Sequence, residues 1–457
     1  MRESEHVLPK RMEVDPASCK LRIAFVYSRM PFPMMRGDQL TVAHLLSFFA
    51  ARGHEVDFFT LDADGHFNEE QTRWLNDSCR NVNIYRHGKF LKVAGVLRGL
   101  FRGLPMQVGI FNNSKLNRDV RNSVLEGKYD ILYVYYLRSG EVICPSLDAA
   151  HISKRAGRPV ATFLAMQLSQ TLNTRRICEN CKGFIKKAIY GLELKLMCRY
   201  ESRIWTRFTR SVLIGPRDVE AIKEECRTQN VPEIRNWIYG AHGTDVSRFR
   251  PALPSDIVSN RIVFSGSMLY MPNVQAILWF VEYCWDAVRA RVPSAELVIQ
   301  GRDPLPSVKR LHGNKNIVVT GTVPDVGAMM RSAAVCINPM LAAGGMQNKL
   351  IEYFASAKAV VATNVANEGI GALPGQHFLE ANNPEEFVSS ILRLLENPRL
   401  SEQFGKNARN YVLQQWTWEA HFMKLEEHMM TALDADAASL RPEREDALAN
   451  ATSVTTR

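Results

Sequence analysis

The sequence predicts an α/β protein in which two doubly wound domains follow one another along the chain. Short aliphatic runs alternate with longer stretches whose apolar residues recur at helical spacing, which is typical of strand–helix–strand units with parallel pairing and right-handed crossovers. The alternation stops at an extended segment, residues 240–256, and then starts again. A chain of 457 residues is also too long for one core and suits two domains of about 200 residues each.

The first half opens with a complete strand–helix–strand unit. The run LRIAFVYS at 21–28 predicts a strand, and a Pro/Gly loop separates it from a predicted helix over 40–54. Gly53 marks the end of this helix, and residues 55–61 predict the next strand. Further buried strands are predicted at 129–136, 159–166 and 210–215.

The second half repeats the pattern. Residues 261–267 predict a strand that ends in glycine, and residues 273–292 predict the helix after it. Another helical pattern spans 401–433. The remaining strands of this half are predicted at 295–302, 316–323, 333–340 and 358–365.

These elements give the expected domain boundaries. The tail that ends the chain is rich in Ala and charged residues, so we expect it to be disordered. The expected segments are a flexible tail at 1–20, a first domain at 21–245, a second domain at 256–415, a helix at 416–433 packing back on the first domain, and the disordered tail at 434–457.

Composition indicates a cytoplasmic protein. No apolar run approaches the roughly 18–20 residues of a membrane span, and residues 1–20 lack the apolar core of a signal peptide. The nine cysteines are odd in number and scattered, which suits a reducing compartment. Cys178 and Cys181 would need a second pair to hold zinc, and the acidic triplet at 62–64 is interpreted as a loop, so no metal is expected.

The net charge of +10 is concentrated in two segments of the first half. Residues 86–102 carry five Lys or Arg and no acid, and residues 175–210 carry ten Lys or Arg against three Glu, interleaved with large apolar residues. Two interpretations stay open. Such helices can lie on an anionic membrane surface, or they can be solvated helices whose apolar faces pack on the core. Nucleic acid is not an expected partner, since no nucleic-acid module is present.

The stretch GGMQNKLIE at 344–352 predicts an anion site. A helix that begins near Met346 leaves its first amide N–H groups unpaired, and together with the helix dipole they suit a diphosphate. Gly344 and Gly345 remove side chains that would block the approach, and Glu352 can accept hydrogen bonds from ribose hydroxyls. The alternative is an ordinary helix end with a solvent-facing Glu. Glycines also close three nearby strands, at Gly266, Gly301 and Gly321, whereas no G-x-G-x-x-G or P-loop motif is present.

These stretches resemble glycosyltransferase family 4, whose GT-B fold has two Rossmann-like domains facing across a cleft. The resemblance spans roughly residues 21–430 and is weaker in the first half and in the linker HGTDVSRFRP. The Gln-Asn-Lys run and the Pro-Asn after Gly266 resemble, more narrowly, a subgroup of bacterial exopolysaccharide-associated sugar transferases. The segments that carry the family 4 resemblance best are IVFSGSMLYMPNVQAILWF, LVIQGRDP, VVTGTVPDVGAMMRSAAVCINPM and GGMQNKLIEYFASAKAVVATNVANEGI.

The resemblance implies a metal-independent hexosyltransferase that moves a sugar from a nucleotide diphosphate sugar to an acceptor hydroxyl with retention of configuration. The donor is a substrate, and no cofactor is expected. The implied acceptor is lipid-linked or a saccharide held by the first domain, in exopolysaccharide or cell-surface glycan synthesis at the inner face of the membrane. Two alternatives remain: a non-catalytic nucleotide-sugar-binding or scaffold protein of a polysaccharide assembly, and a sugar-nucleotide epimerase on the same fold.

The sequence departs from the family pattern at three places. Of the two Glu that the family often carries seven residues apart, Glu352 matches the second, while the first falls on Gly344. The family's diphosphate-binding Arg and Lys fall near Ser267 and Pro272–Asn273, so Arg302 and Lys349 are nominated as the cations. Arg138 stands roughly where the first domain often has a His. The expected catalytic residues are Glu352, Lys349, Arg302 and Arg138; the expected donor-binding residues are Gly266, Ser267, Asn273, Gly344, Gly345, Met346, Gln347, Asn348 and Glu352; the expected acceptor-side loop is Arg36, Gly37 and Asp38.

Overall fold

The computed structural model describes residues 12, 14–32, 37–62, 69–181, 183–240, 243–341 and 346–454, with side chains as far as Ala438 apart from that of Asn180. Within these residues the strands form two sheets in which every pairing is parallel. The chain divides into two compact units: Met1–Ala241 with Phe422–Arg457, and His242–His421.

The first unit contains a sheet with the strand order β3-β2-β1-β4-β5-β6-β7. Its strands are mostly aliphatic or aromatic because helices cover both faces of a parallel sheet. The strands are β1 (Arg22–Tyr27), β2 (Glu55–Asp62), β3 (Asn81–Arg86), β4 (Ile131–Tyr135), β5 (Ala161–Gln167), β6 (Arg210–Leu213) and β7 (Trp237–Tyr239).

Helices connect these strands, with short 3-10 turns at Leu137–Val142 and Trp205–Arg207. The helices are α1 (Gly37–Ala51), α2 (Glu69–Ser78), α3 (Lys89–Phe101), α4 (Met106–Phe111), α5 (Ser114–Leu125), α6 (Ala149–Ala156), α7 (Gln170–Asn180), α8 (Phe184–Ile204) and α9 (Pro216–Thr228).

The second unit contains a sheet with the order β10-β9-β8-β11-β12-β13. Its strands are β8 (Arg261–Ser265), β9 (Glu296–Gln300), β10 (Ile317–Gly321), β11 (Val335–Asn338), β12 (Val360–Ala362) and β13 (Leu379–Glu380). Its helices are α10 (Met271–Phe280), α11 (Asp286–Arg291), α12 (Pro306–Lys309), α13 (Val326–Arg331), α14 (Asn348–Ala355), α15 (Asn364–Asn367), α16 (Pro384–Glu396) and α17 (Pro398–Gln415), with a 3-10 turn at Pro254–Asp256.

The last helix, α18 (Trp418–Val454), returns to the first unit. The ring of Phe422 packs 5.5 Å from that of Phe48, and Glu426 accepts a 2.9 Å hydrogen bond from Arg52 and pairs with His54 at 2.7 Å. The helix continues through residues 434–454, where the sequence predicted disorder. Alanine, which is frequent there, has the highest helix propensity of any residue.

The structure differs from the prediction in a few other elements. The helix expected over 273–292 is α10 and α11 joined by a π-helical turn at Val281–Trp285, and the helix expected from Met346 begins at Asn348. The sequence analysis also missed the edge strands β3 and β13 and the short β7. β3, NVNIYR, alternates polar and apolar residues, and β7 and β13 have three and two residues, so none of them shows a continuous aliphatic run.

Candidate functional site

Two glycine turns meet at the carboxyl edge of the second sheet. Gly266 follows β8 and Gly301 follows β9, and the two strands pair in register up to Ser265 and Gln300. The amide of Gly266 donates to the carbonyl oxygen of Gln300 at 2.9 Å. A Cβ atom on Gly301 would overlap the carbonyl oxygen of Gly266. Only glycine therefore fits at position 301 without moving the turn after β8.

The N-terminus of α14 lies at this edge. Gln347 is its N-cap residue, and no side chain caps the first amide groups of the helix within the described part of the chain. Uncapped N–H groups and the helix dipole favour an anion at this end. Met346 is half-buried and Asn348 is exposed. Gly344 and Gly345 lie outside the described residues, so their predicted role in admitting a diphosphate stays a prediction.

Lys349 is buried directly behind this helix end. Its Nζ atom donates to Asn273 Oδ1 at 2.5 Å and lies 4.5 Å from the ring centroid of Phe264, a cation–π distance. Asn273 in turn donates from Nδ2 to the carbonyl oxygen of Ser267 at 3.0 Å. The structure thus brings together three residues predicted to bind the donor and Lys349, which was predicted as a catalytic cation. We refer to Gly266, Ser267, Asn273 and Lys349 as the Lys349 cluster.

Position 266 must be glycine because the side chains of Asn273 and Lys349 approach it closely. A Cβ atom at this position would lie 2.6 Å from Asn273 Nδ2 and 3.1 Å from Lys349 Nζ. Either the amide or the amine would have to move. Because Gly266 has no side chain, the buried Lys349 amine can lie close to the turn after β8.

Burial lowers the pKa of Lys349 to about 7, and the negative charge of Glu352 only partly opposes this effect. The pKa of this amine therefore lies far closer to neutral pH than that of an ordinary lysine. An anion placed next to the amine would favour the protonated form. The charge of this cluster therefore depends on what occupies the edge of the sheet.

Glu352 is half-buried one turn further along α14. Its carboxylate makes no hydrogen bond or ion pair with any residue that the structure describes. Burial raises the pKa of Glu352, and the positive charges of Arg248 and then Lys349 act against this rise. The carboxylate is thus free to accept hydrogen bonds from a ligand.

The sequence analysis missed three residues of this edge. Arg248 is an exposed cation close enough to influence Glu352, and its position inside HGTDVSRFRP was the available signal. Gln300 and Asn338, the last residues of β9 and β11, are buried, and neither their amide nitrogens nor their amide oxygens have a partner among the described residues. The available signal was a polar side chain at the end of an aliphatic strand. A buried amide is normally hydrogen-bonded, so an amide at that position indicates a site where a partner can bind.

Arg302 does not join the Lys349 cluster. Its side chain is exposed, and its backbone carbonyl accepts a 3.1 Å hydrogen bond from Met268. It follows Gly301 at the same edge of the sheet. Its predicted contact with a phosphate stays a prediction.

In the first unit, the structure brings together two residues that were predicted separately, Asp38 and Arg138. One Asp38 oxygen, Oδ2, lies 3.3 Å from a terminal nitrogen of Arg138 and accepts a 2.8 Å hydrogen bond from Tyr27. Arg138 also donates from Nε to Ser28 Oγ at 2.7 Å. Gly37 begins α1, and Arg36 lies outside the described residues.

The two basic segments carry large apolar residues on exposed helix faces. In α3, Phe90 and Phe101 are 83% and 93% exposed, and Val93 and Leu97 between them are exposed on the same face. In the first half of α8, Phe184 is 89% exposed, and Ile185, Ile189 and Leu192 are also exposed. The apolar faces of α3 and of the first half of α8 therefore do not pack on the core, whereas Leu196, Met197 and Trp205 later in the second segment are buried. In the residues that the structure describes, no helix is long and apolar enough to cross a membrane.

α3 and α8 are joined through α4. Close contact between Gly95 of α3 and Gly109 of α4 leaves no room for a Cβ atom at either position. Glu193 of α8 accepts hydrogen bonds from the first two amides of α4, those of Met106 and Gln107, at 2.6 and 3.1 Å. Both helices therefore pack on α4, and we call the exposed apolar residues of α3 and of the first half of α8, taken together, the α3–α8 surface.

Comparison with known proteins finds a family match within the second unit. Residues 259–397 match the family model described as Glycosyl transferases group 1. A Klebsiella pneumoniae protein described as an "uncharacterized 44.6 kDa protein in cps region" is 21% identical over 401 residues, covering 86% of this chain and 95% of that protein. An uncharacterized glycosyltransferase of Methanocaldococcus jannaschii is 27% identical over 130 residues, 27% of this chain and 33% of the other.

The fold is similar to those of solved structures. Sucrose-phosphate synthase from Thermosynechococcus elongatus superposes with a TM-score of 0.55 at 17% identity, covering 91% of this chain and 100% of that one. HepE from Anabaena, in complex with UDP, gives a TM-score of 0.53 at 14% identity, covering 90% and 100% of the two chains. At these identities the similarity concerns the fold. The predicted α/β fold of GT-B type is confirmed.

Proposed function

We propose that the protein is a glycosyltransferase that moves a sugar from a nucleotide diphosphate sugar to an acceptor hydroxyl. The observation that carries this proposal is the Lys349 cluster. A buried amine, held by Asn273 beside Gly266, lies behind the N-terminus of α14, in the segment that matches the group 1 family model. A pair of phosphates at this edge would meet backbone amides and one cation.

The chemistry of sugar transfer explains why such a cluster lowers the barrier. Negative charge builds up on the departing β-phosphate as the bond to the sugar breaks. Donors already oriented toward that oxygen stabilise the transition state more than the ground state. The hydrogen bond from Lys349 to Asn273 fixes the amine in place before the donor binds.

Glu352 is the proposed ligand of the ribose. Its carboxylate has no partner among the described residues, and two neighbouring ribose hydroxyls can donate to it in a bidentate manner. The positive charges of Arg248 and Lys349 favour the ionised form of Glu352 that this contact requires. UDP is the first nucleotide to test, because the HepE structures contain UDP and UDP-glucose.

The finer features of the proposal follow the family 4 resemblance. They are retention of configuration, a hexosyl donor, no requirement for metal, and a lipid-linked or saccharide acceptor. The cps region named for the Klebsiella pneumoniae relative supports a role in exopolysaccharide or cell-surface glycan synthesis. The Gln-Asn-Lys run at 347–349 supports the exopolysaccharide-associated subgroup.

We further propose that the α3–α8 surface binds the anionic inner face of the cell membrane. Four exposed apolar side chains on one face of α3 suit insertion among lipid headgroups. Cations beside this surface provide charge complementarity to anionic lipids: Lys89, Lys92 and Arg98 in α3, and Lys186, Lys187 and Lys195 in α8. A membrane position suits an enzyme whose acceptor is lipid-linked.

Nucleotide release from a panel of sugar nucleotides tests the transferase proposal. The purified full chain should release nucleoside diphosphate from one donor, and release should accelerate when a lipid extract or oligosaccharide acceptor is added. Adding EDTA should leave the rate unchanged. Absence of release with every donor, with donor binding intact, would instead favour the scaffold alternative, and conversion of the donor sugar without release would favour the epimerase.

Flotation with anionic vesicles tests the membrane proposal. The unmodified chain should float at low salt and less at high salt, each cation near the surface contributing about 1 kcal/mol before screening. Neutralising Lys89, Lys92, Arg98, Lys186, Lys187 and Lys195 together should abolish flotation. The matched control also removes six charges and should still float; it neutralises exposed residues of the first unit outside this surface, namely Arg73, Arg118, Lys128, Lys154, Arg155 and Arg227. If the unmodified chain stays in the soluble fraction at low salt, the surface does not bind membranes.

A further inference from the structure

The carboxyl edge of the first sheet has a crevice between β1 and β4. β1 lies in the middle of the order β3-β2-β1-β4, so the connections leaving β1 and β4 run in opposite directions along the sheet. In open parallel sheets such a reversal opens a crevice beyond the strand ends, where ligands bind. Ser28 and Arg29 follow β1 there, and Arg138 follows β4 shortly after it ends.

Arg138 is fixed rigidly in this crevice. Its side chain is only 8% exposed, and its hydrogen bonds to Ser28 and Asp38 hold the guanidinium plane. The guanidinium carbon lies 4.4 Å from the ring centroid of Phe111 and 4.2 Å from that of Tyr136. Two aromatic rings and two polar partners therefore set its orientation before any ligand arrives.

A second guanidinium shares the same carboxylate. Arg29 lies 3.8 Å from Asp38 Oδ2 and 5.2 Å from the ring centroid of Phe111, with 24% of its side chain exposed. It donates no side-chain hydrogen bond to any residue that the structure describes. Two permanently charged groups thus face one acid, which itself stands in the first turn of α1, where the helix dipole is already positive.

The backbone around Arg138 is strained. Tyr136, whose ring supports Arg138, has φ 78° and ψ 136°, and Gln167, the last residue of the neighbouring β5, has φ 70°. A non-glycine residue held at positive φ costs of order 1–3 kcal/mol, and such residues concentrate at ligand sites. The strain at Tyr136 places its ring against the guanidinium.

We propose that Arg29 and Arg138 bind an oxyanion, a phosphate or a carboxylate, carried by the acceptor. The excess positive charge, the N–H groups of Arg29 that donate to no described residue, and the fixed guanidinium of Arg138 suit recognition of such a group through charge-assisted hydrogen bonds. The inference rests on the proposed transferase function for its biological role, and it names the class of acceptor: an anionic one. A prenyl phosphate or diphosphate and a uronic acid residue both provide this chemistry.

Direct binding tests the inference without requiring turnover. Citronellyl phosphate and a glucuronate disaccharide are titrated calorimetrically into the full chain, into Arg29→Gln and into Lys349→Met. Loss of one charge-assisted contact should weaken binding of the anionic probe about tenfold or more in Arg29→Gln, and binding should be unchanged in Lys349→Met. Which probe binds distinguishes a lipid phosphate from a sugar carboxylate. Equal binding by the unmodified chain and Arg29→Gln, loss only in Lys349→Met, or no binding of either probe would overturn the inference.

Kinetics separate this inference from the proposed function. With a phosphate-bearing acceptor, Arg29→Gln should raise the acceptor KM about tenfold while slow donor hydrolysis without acceptor stays unchanged. With the corresponding neutral alcohol the KM should not change. Arg29→Lys should restore part of the effect, and Arg118→Gln, an exposed arginine of the same unit, is the control. An inactive unmodified chain contradicts the proposed function alone. If the chain is active but Arg29→Gln has the same acceptor KM as the unmodified chain, the inference is contradicted.

Discussion

The carboxyl edges of the two sheets use the same arrangement with different cations. At the edge of the second sheet, Lys349 lies over the ring of Phe264 and donates to the neutral amide of Asn273. At the edge of the first, Arg138 lies over Phe111 and donates to the neutral hydroxyl of Ser28. In each case an aromatic ring and a neutral acceptor hold a buried positive group just beyond the strand ends.

The two cations differ in how easily they lose a proton. Burial brings the pKa of Lys349 to about 7, so its amine can lose the proton. Burial and then the charge of Arg29 also lower the pKa of Arg138, but a guanidinium stays protonated in proteins, and Asp38 lies beside it. The charge at the second edge can therefore respond to a bound anion, whereas the charge at the first edge is permanent. The following changes test this contrast.

Replacing Lys349 with Met should have the largest effect. We expect kcat to fall about 100- to 1000-fold, as for loss of one oriented donor to a developing oxyanion, with a smaller change in affinity for the free nucleoside. Stopped assays of nucleotide release measure kcat, and inhibition of that release by added nucleoside measures the affinity. Lys358→Met is the matched control, because Lys358 is also buried in the second unit but donates to the carbonyl oxygens of Arg331 and Ala333. Turnover within twofold of the unmodified chain would remove Lys349 from the mechanism.

Replacing Glu352 with Gln should weaken donor binding by about 1–3 kcal/mol, the value of a charge-assisted hydrogen bond. The fold should survive, because the carboxylate has no partner among the described residues. Calorimetric titration with nucleotide sugars gives the affinity, and Glu396→Gln, at the exposed end of α16, is the control. Unchanged affinity for every donor would exclude Glu352 from the ribose site.

The pH dependence of donor binding should distinguish a lysine from an arginine at the second edge. The diphosphate of an intact nucleotide sugar stays fully ionised as the pH rises above 7, whereas the free Lys349 amine loses its proton. Since binding favours the protonated amine, affinity should fall by up to about tenfold per pH unit just above pH 7, whereas protonation of Glu352 weakens binding only on the acidic side. Lys349→Arg should bind with no such dependence. The same slope in both proteins would show that another group takes up the proton.

Replacing Arg302 with Ala should have the smallest effect. An exposed cation is screened by solvent, so we expect a loss of only about 0.2–1 kcal/mol in transition-state stabilisation. The kcat/KM for the donor measures this loss. A reduction as large as that of Lys349→Met would mean that Arg302 contacts the phosphates during the reaction, and the contrast between buried and exposed cations would then fail.

Sequence patterns predicted most strands of the two sheets and the glycine positions. Aliphatic runs such as those at 261–267 and 129–136 predicted buried strands, because the strands of a parallel sheet are covered on both faces. Gly266 and the Gln-Asn-Lys run predicted where an anion would approach the second sheet, because glycine turns and helix ends depend on residues that are close together in the sequence. The edge strand β3 was not predicted, because its alternating polar and apolar residues contain no aliphatic run.

Only the tertiary structure decided which charged groups act together. Lys349 meets Asn273 from 76 residues away, and Arg138 meets Asp38 from 100 residues away. Arg248 influences Glu352 although it belongs to the segment before the second sheet. The apolar face of α3 likewise has a sequence pattern that fits either burial or exposure. Desolvation and charge pairing depend on distances in space, and the spacing of residues along a chain fixes such distances only within one helix or strand.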